Sequence, residues 1–105
     1  MDERHRYRTL VESELYMDQR DFLATRYSHE ILSSALTGVL WGIASSPEGY
    51  ERVTVNIREA RSRSFSAAQP EFKISFEILD SERVLLLWIE EITGLEGLEK
   101  LVKDQ

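Results

Sequence analysis

The sequence predicts an α+β domain, a small antiparallel sheet with two N-terminal helices packed on one face. Three observations carry this. Ile31, Leu32, Ala35, Leu36, Val39, Leu40 and Ile43 form one apolar stripe at three- and four-residue spacing, which marks an amphipathic helix over Ser28 to Ser46. "FKISFEI" alternates apolar and polar residues from Phe72 to Ile78, and "VLLLWI" from Val84 to Ile89 is apolar throughout, so the two read as strands joined by a turn at "LDSE". Helical patterns come first in the chain and strand patterns last, the order expected of helices packed on an antiparallel sheet.

The elements follow in order. "RYRTLVE" (Arg6 to Glu12) reads as a first strand, although the four-residue spacing of Tyr7, Val11 and Leu15 would also open a helix. "SELYMDQRDFLATRY" (Ser13 to Tyr27) has no Gly or Pro, is rich in helix formers and places Leu15, Phe22, Leu23 and Tyr27 at loosely helical intervals. In the second helix, Gly38 and Gly42 cost propensity, which implies close approach to the sheet; Pro47 and Gly49 end it. Val53, Val55 and Ile57 alternate with Thr54, Asn56 and Arg58 as in a half-buried strand. Residues Ser64 to Glu71 read as a loop with Pro70 near its end. The all-apolar Val84–Ile89 predicts a central strand covered on both faces: by helices on one side, and by the tail, a loop or a partner on the other. Residues 93–105 form a tail in which Leu95, Leu98, Leu101 and Val102 could make a short amphipathic helix, weakened by Gly94 and Gly97. Trp41 and Trp88 are expected in the core.

Length and composition frame function. A chain of 105 residues is one domain, here with its core over 7–92. With 42% hydrophobic and 30% charged residues it is an ordinary globule. It has no cysteine, so disulfide frameworks and cysteine metal sites are excluded. His5 and His29 are isolated and point to no metal, and no motif implies a cofactor. No apolar run approaches the ~20 residues of a membrane span, and the charged "MDERHRYR" is not a secretory signal, so the expected location is the cytoplasm. A net charge of −6 disfavours bulk attraction to nucleic acid. The exception is one basic segment: Arg52, Arg58, Arg61, Arg63 and Lys73 are opposed between positions 52 and 73 only by Glu59 and Glu71.

The element order, and the stretches "LTGVLWGIASSPEGYERV", "NIREARSRSFSAAQPEFKISFEI" and "DSERVLLLWIEEI", resemble the RelE/ParE superfamily of toxin–antitoxin modules, over about Tyr7 to Ile92. The resemblance rests most on the hairpin, with a basic residue near its start and an acidic turn. It implies the cytoplasmic toxin component of a type II toxin–antitoxin (plasmid stabilization) system, partnered by a small antitoxin and compatible with a homodimer. RelE-like members cut mRNA in the ribosomal A site without a metal, and ParE-like members poison gyrase. Carried over, Lys73 takes the position of the hairpin's basic residue. Arg58, Arg61 and Arg63 lie on or after the preceding strand, where further cations are expected. The implied roles are catalysis by Arg61, Lys73 and Arg58, and RNA binding by these with Arg52 and Arg63. Cations held on a rigid sheet would stabilise the charge that phosphodiester cleavage builds. For that, Arg58 and Lys73 should share one exposed face with Arg61 or Arg63.

The last strand departs from the family. Where Arg, Lys or Tyr would complete the site, this chain reads "IEEITGLEGLEK", with Glu90 and Glu91 in the place of cations. Two readings therefore stand: an mRNA interferase with weak or lost cleavage, or a non-catalytic protein-interaction module on the same fold, such as a degenerate toxin or a gyrase-binding relative. The cations are more simply a solvated face with ion pairs to Glu59, Glu71 or Glu77, and the two glutamates a charged strand end that blocks edge pairing.

Overall fold

The computed structural model describes residues 7–62 and 70–92; the tail and most of the predicted loop over 64–71 lie outside them. Strand β1 (Thr9–Glu12) leads into helices α1 (Glu14–Arg26) and α2 (His29–Ser45), a 3₁₀ turn at Pro47–Gly49, and strands β2 (Arg58–Arg61), β3 (Glu71–Ile78) and β4 (Arg83–Ile92). The class is α+β, with both helices N-terminal to the meander. Ser13 and Ser28 cap the helices, each hydroxyl accepting from the amide three residues on, Tyr16 and Ile31.

The sheet order is β1-β4-β3-β2. The meander β2–β3–β4 is antiparallel as expected, but β1 joins β4 in parallel, so the whole sheet is mixed. The chain between β1 and β4 runs through both helices and then β2 and β3, which is ample length for a parallel neighbour. β4 is thus an inner strand. Where β1 stops, α1 takes over its edge: the Ser13 amide donates to the Leu86 carbonyl at 3.0 Å, the Ser13 hydroxyl to the Leu87 carbonyl at 2.8 Å, and the Ile89 amide to Gln19 Oε1 at 2.9 Å.

A bulge explains the all-apolar run. Ser75 pairs with Trp88 and Phe76 with Leu86, which leaves Leu87 in excess. The inward parity therefore switches along β4. Val84 and Leu86 on one side of the bulge, and Ile89 on the other, all point to the helices and are fully buried. Leu85 and Trp88 fall on the opposite face and are only half-buried. The expectation of complete burial on both faces is corrected accordingly: one face is a core face, and the other is apolar but incompletely covered among the described residues.

The core joins Tyr16 and Leu23 of α1 and Leu32, Ala35, Leu36, Val39 and Ile43 of α2 to Ala60, Phe72, Ile74, Phe76, Val84, Leu86 and Ile89 of the sheet. At the margin of the predicted stripe, Ile31 is exposed. Trp41 is exposed too, contrary to expectation; its ring lies 5.6 Å from that of Tyr7.

The strand expected over Val53, Val55 and Ile57 does not form. Residues 53–56 make a tight bend closed by Val53 and Thr54 amides on the Ile57 carbonyl, at 2.8 and 3.3 Å, while Thr54 Oγ1 accepts from the Ile57 amide at 3.1 Å. The threonine hydroxyl offers the backbone a local alternative to a ladder. With no covering layer there, Val55 stays 81% exposed, and the alternation has nothing to bury. The strand begins instead at Arg58, and its one buried residue is Ala60.

The two helical glycines differ. A Cβ at Gly38 would meet nothing, so no close approach explains it. A Cβ at Gly42 would fall inside the contact envelope of Tyr50 Oη, with Tyr50 Cζ at 3.6 Å. The close neighbour is thus a tyrosine tip rather than the sheet. Gly42→Ala gains about 1 kcal/mol of helix propensity but overpacks a site where such strain costs about 1–3 kcal/mol. Chemical denaturation should show a net loss for Gly42→Ala alone and a gain once Tyr50→Phe removes the hydroxyl. A stabilised single variant would contradict this packing.

Candidate functional site

Residues paired in register share a sheet face, and this sorts the basic segment. Arg61 pairs with Lys73, and Lys73 with Glu90, so all three stand in one row on the face away from the helices. Next to it runs the row Glu59, Ser75 and Trp88. Lys73 Nζ lies 3.6 Å from Glu59 Oε2 and 3.8 Å from Glu90 Oε2. The ammonium is thus shared by two carboxylates. Arg61, directly beside it across the strands, is exposed.

Arg58 is elsewhere. It pairs with Phe76 and has the parity of Ala60, so it belongs to the helix-covered face. Its Nη1 donates to the carbonyls of Glu48 at 3.0 Å and Tyr50 at 2.7 Å, fixing the segment that follows α2. The expected shared face for Arg58 and Lys73 is therefore not found. The sequence pattern misplaced Arg58 because it continued the alternation of 53–57 through what is a bend. Arg52 is exposed and bridges to Arg58 at the base of that bend. Arg63 lies outside the described residues.

The two glutamates at the end of β4 part company. Glu90 faces Lys73. Glu91 is on the helix side, with its side chain 16% exposed; it accepts from Tyr27 Oη and lies 3.3 Å from Arg26 Nη1. The hydrogen bond to Glu91 is the main reason that the Tyr27 phenol is raised above its usual pKa, with burial adding to it. The Tyr27 ring also stands edge-on to Phe72, centroids 5.9 Å apart. Glu91 thus ties the turn between α1 and α2 to the last strand. Sequence reasoning did not find these partners, because nothing local links positions 64 residues apart.

Two concave regions lie nearby. A cleft of about 260 Å³ between α2 and β2 is lined by Ser34, Gly38, Tyr50, Arg61 and Ser62, among others. A groove of about 460 Å³ between the helices has Leu32, Leu36 and Leu40 along its apolar side and Arg20, Asp21 and His29 at its rim. Ser33 and Thr37 also line the second groove, where the Thr37 hydroxyl donates to the Ser33 carbonyl at 2.6 Å.

Chemically, the Lys73 row can bind a group that carries both donors and acceptors. It is poorly suited to a bare phosphate, since Glu59 and Glu90 would repel it as strongly as Lys73 attracts it. Among the described residues no helix is long and apolar enough to cross a membrane. No family model matches the sequence, and no curated protein matches it.

Proposed function

We propose that the chain is a RelE/ParE-like module of toxin ancestry that works by binding a protein partner, with ribosome-dependent mRNA cleavage weak or lost. The observation that carries this reading is the neutralisation of Lys73 between Glu59 and Glu90. Arg58 is committed to backbone carbonyls on the other face, so the described cations do not converge on one phosphate-sized point. Both features, together with the overall charge of −6, favour a protein partner over an RNA. An antitoxin or gyrase would be such a partner, reached in the cytoplasm. One observation favours the nuclease reading instead: Arg61 is exposed beside Lys73, where it could recruit a phosphate from the flank.

Induced expression of the chain alone, with growth and transcript integrity followed together, separates the two. Transcripts are expected to stay intact, and Lys73→Ala is expected to change nothing in their pattern. Ribosome-dependent cutting by the unmodified chain, lost in a folded Lys73→Ala or Arg61→Ala variant, would overturn the binding reading in favour of catalysis. Removal of a charge-stabilising donor costs such chemistry about 100-fold or more.

A further inference from the structure

The outer face of α2 has a composition that its own fold does not explain. Ile31, Ser34, Gly38 and Trp41 are exposed, and they recur at intervals of three, four and three residues, which puts them on one side of the helix. No charged residue lies between Glu30 and Glu48, in a chain whose residues are 30% charged. The ends of this strip are large: Trp41 is 60% exposed and Ile31 42%, and the exposed Tyr7 ring stands beside Trp41. Its middle is small. Gly38 costs helix propensity, and among the described residues nothing lies within 4 Å of where its Cβ would be. The glycine therefore answers no packing need among them, yet it is what close approach by a body from outside requires.

We infer that α2 packs against α2 of a second copy of this chain, antiparallel, about a two-fold axis at the level of Leu36. The strip matches itself about that level. Ile31 and Trp41 each lie five positions from Leu36, and Ser34 and Gly38 each lie two. Crossing helices are closest at the crossing and diverge away from it. Ser34 then meets Gly38 of the second copy where the gap is narrowest, Trp41 meets Ile31 of the second copy where it widens, and the two-fold repeats each contact. Charge selects the same occupant. Each copy carries −6, so like molecules repel over much of their surface. The α2 strip lets them touch without bringing like charges together, whereas a cationic partner would find no carboxylate on it. The second helix would also close over the cleft that Ser34, Gly38, Tyr50 and Arg61 line, so that a group bound there would meet both copies. The inference stands apart from the partner-binding reading, which concerns the Lys73 row on the sheet face away from the helices.

Sedimentation velocity and crosslinking of the whole chain test this. The chain should sediment as a dimer that dissociates on dilution. Gly38→Leu, which has room within the chain, should keep the far-ultraviolet circular dichroism and raise the dimer dissociation constant by about tenfold or more, as expected when bulk is forced into a close-packed site. A monomer up to the solubility limit, or a dimer that Gly38→Leu leaves unweakened, would overturn the inference. Register is read separately, since the chain has no cysteine of its own. Ser34→Cys and Gly38→Cys chains, mixed and oxidised, should crosslink to each other more than either does to itself; no excess in the mixture would refute the two-fold at Leu36. In a Trp88→Phe background Trp41 is the one remaining tryptophan. Its emission should shift to the blue as the dimer forms. A blue emission already present in the monomer would also refute the inference, since it would assign the cover of Trp41 to the chain itself.

Discussion

Phe76→Ala is expected to cost about 3–5 kcal/mol of folding free energy, the range for truncating a fully buried phenylalanine. Phe76 is 0% exposed and sits at the bulge, where it pairs with Leu86 on one side and Arg58 on the other. Its ring meets that of Tyr50 edge-to-face at 5.8 Å, a contact worth something beyond the area it buries. The cavity left by truncation would lie under α2, between the sheet and the segment that Arg58 holds in place, so collapse around it is restricted from both sides. Since a domain of this size is stable by only about 5–15 kcal/mol, the variant should sit near the edge of folding. Urea unfolding would register the loss as a lower midpoint at an unchanged slope. A midpoint shift equivalent to less than 1 kcal/mol would mean that Phe76 is not a core residue.

A loss of stability in alkali is the second large effect expected. Burial, helped by the nearby Glu12 carboxylate and opposed by Arg20, pushes the Tyr16 phenol up from 10.0 to about 12. The unfolded chain therefore loses this proton near pH 10, whereas the native state holds it until about pH 12. The stabilisation is complete below pH 10 and is lost as pH rises through that window. At roughly 1.4 kcal/mol per unit, the total is about 2–3 kcal/mol. Tyr16→Phe, which has no proton to lose, should flatten most of the slope. Tyr27, raised as well through its bond to Glu91, accounts for part of what is left. An equally steep alkaline decline in Tyr16→Phe would refute the assignment.

Much of the fold was legible because burial wrote it into local periodicity. The α2 stripe and the Phe72–Ile78 alternation both led to the right elements and faces. Two features escaped for definite physical reasons. The bulge at Leu87 changes the parity of β4 without altering its composition, so "VLLLWI" reads the same whether one face or two are covered. The valines at 53 and 55 have the chemistry of a strand, but no layer lies over them. Within the site, the row of Arg61, Lys73 and Glu90 was implicit in the hairpin, once register is known. The division between Glu90 and Glu91 was not, because it depends on Arg26 and Tyr27 coming back to the end of β4.

The parallel pairing of β1 with β4 also governs the order in which the molecule can come into being. β1 is the first described element to be synthesised, and the strand it binds is the last. Until β4 exists, β1 has no neighbour in the sheet, Ser13 has no carbonyls at Leu86 and Leu87 to address, and Gln19 has no amide to accept from. α1, which packs mainly on β4, is in the same position. Half a nascent chain is therefore not half a domain. It is a pair of helices with an unmatched apolar side, held in suspense through most of translation and resolved by a single late strand.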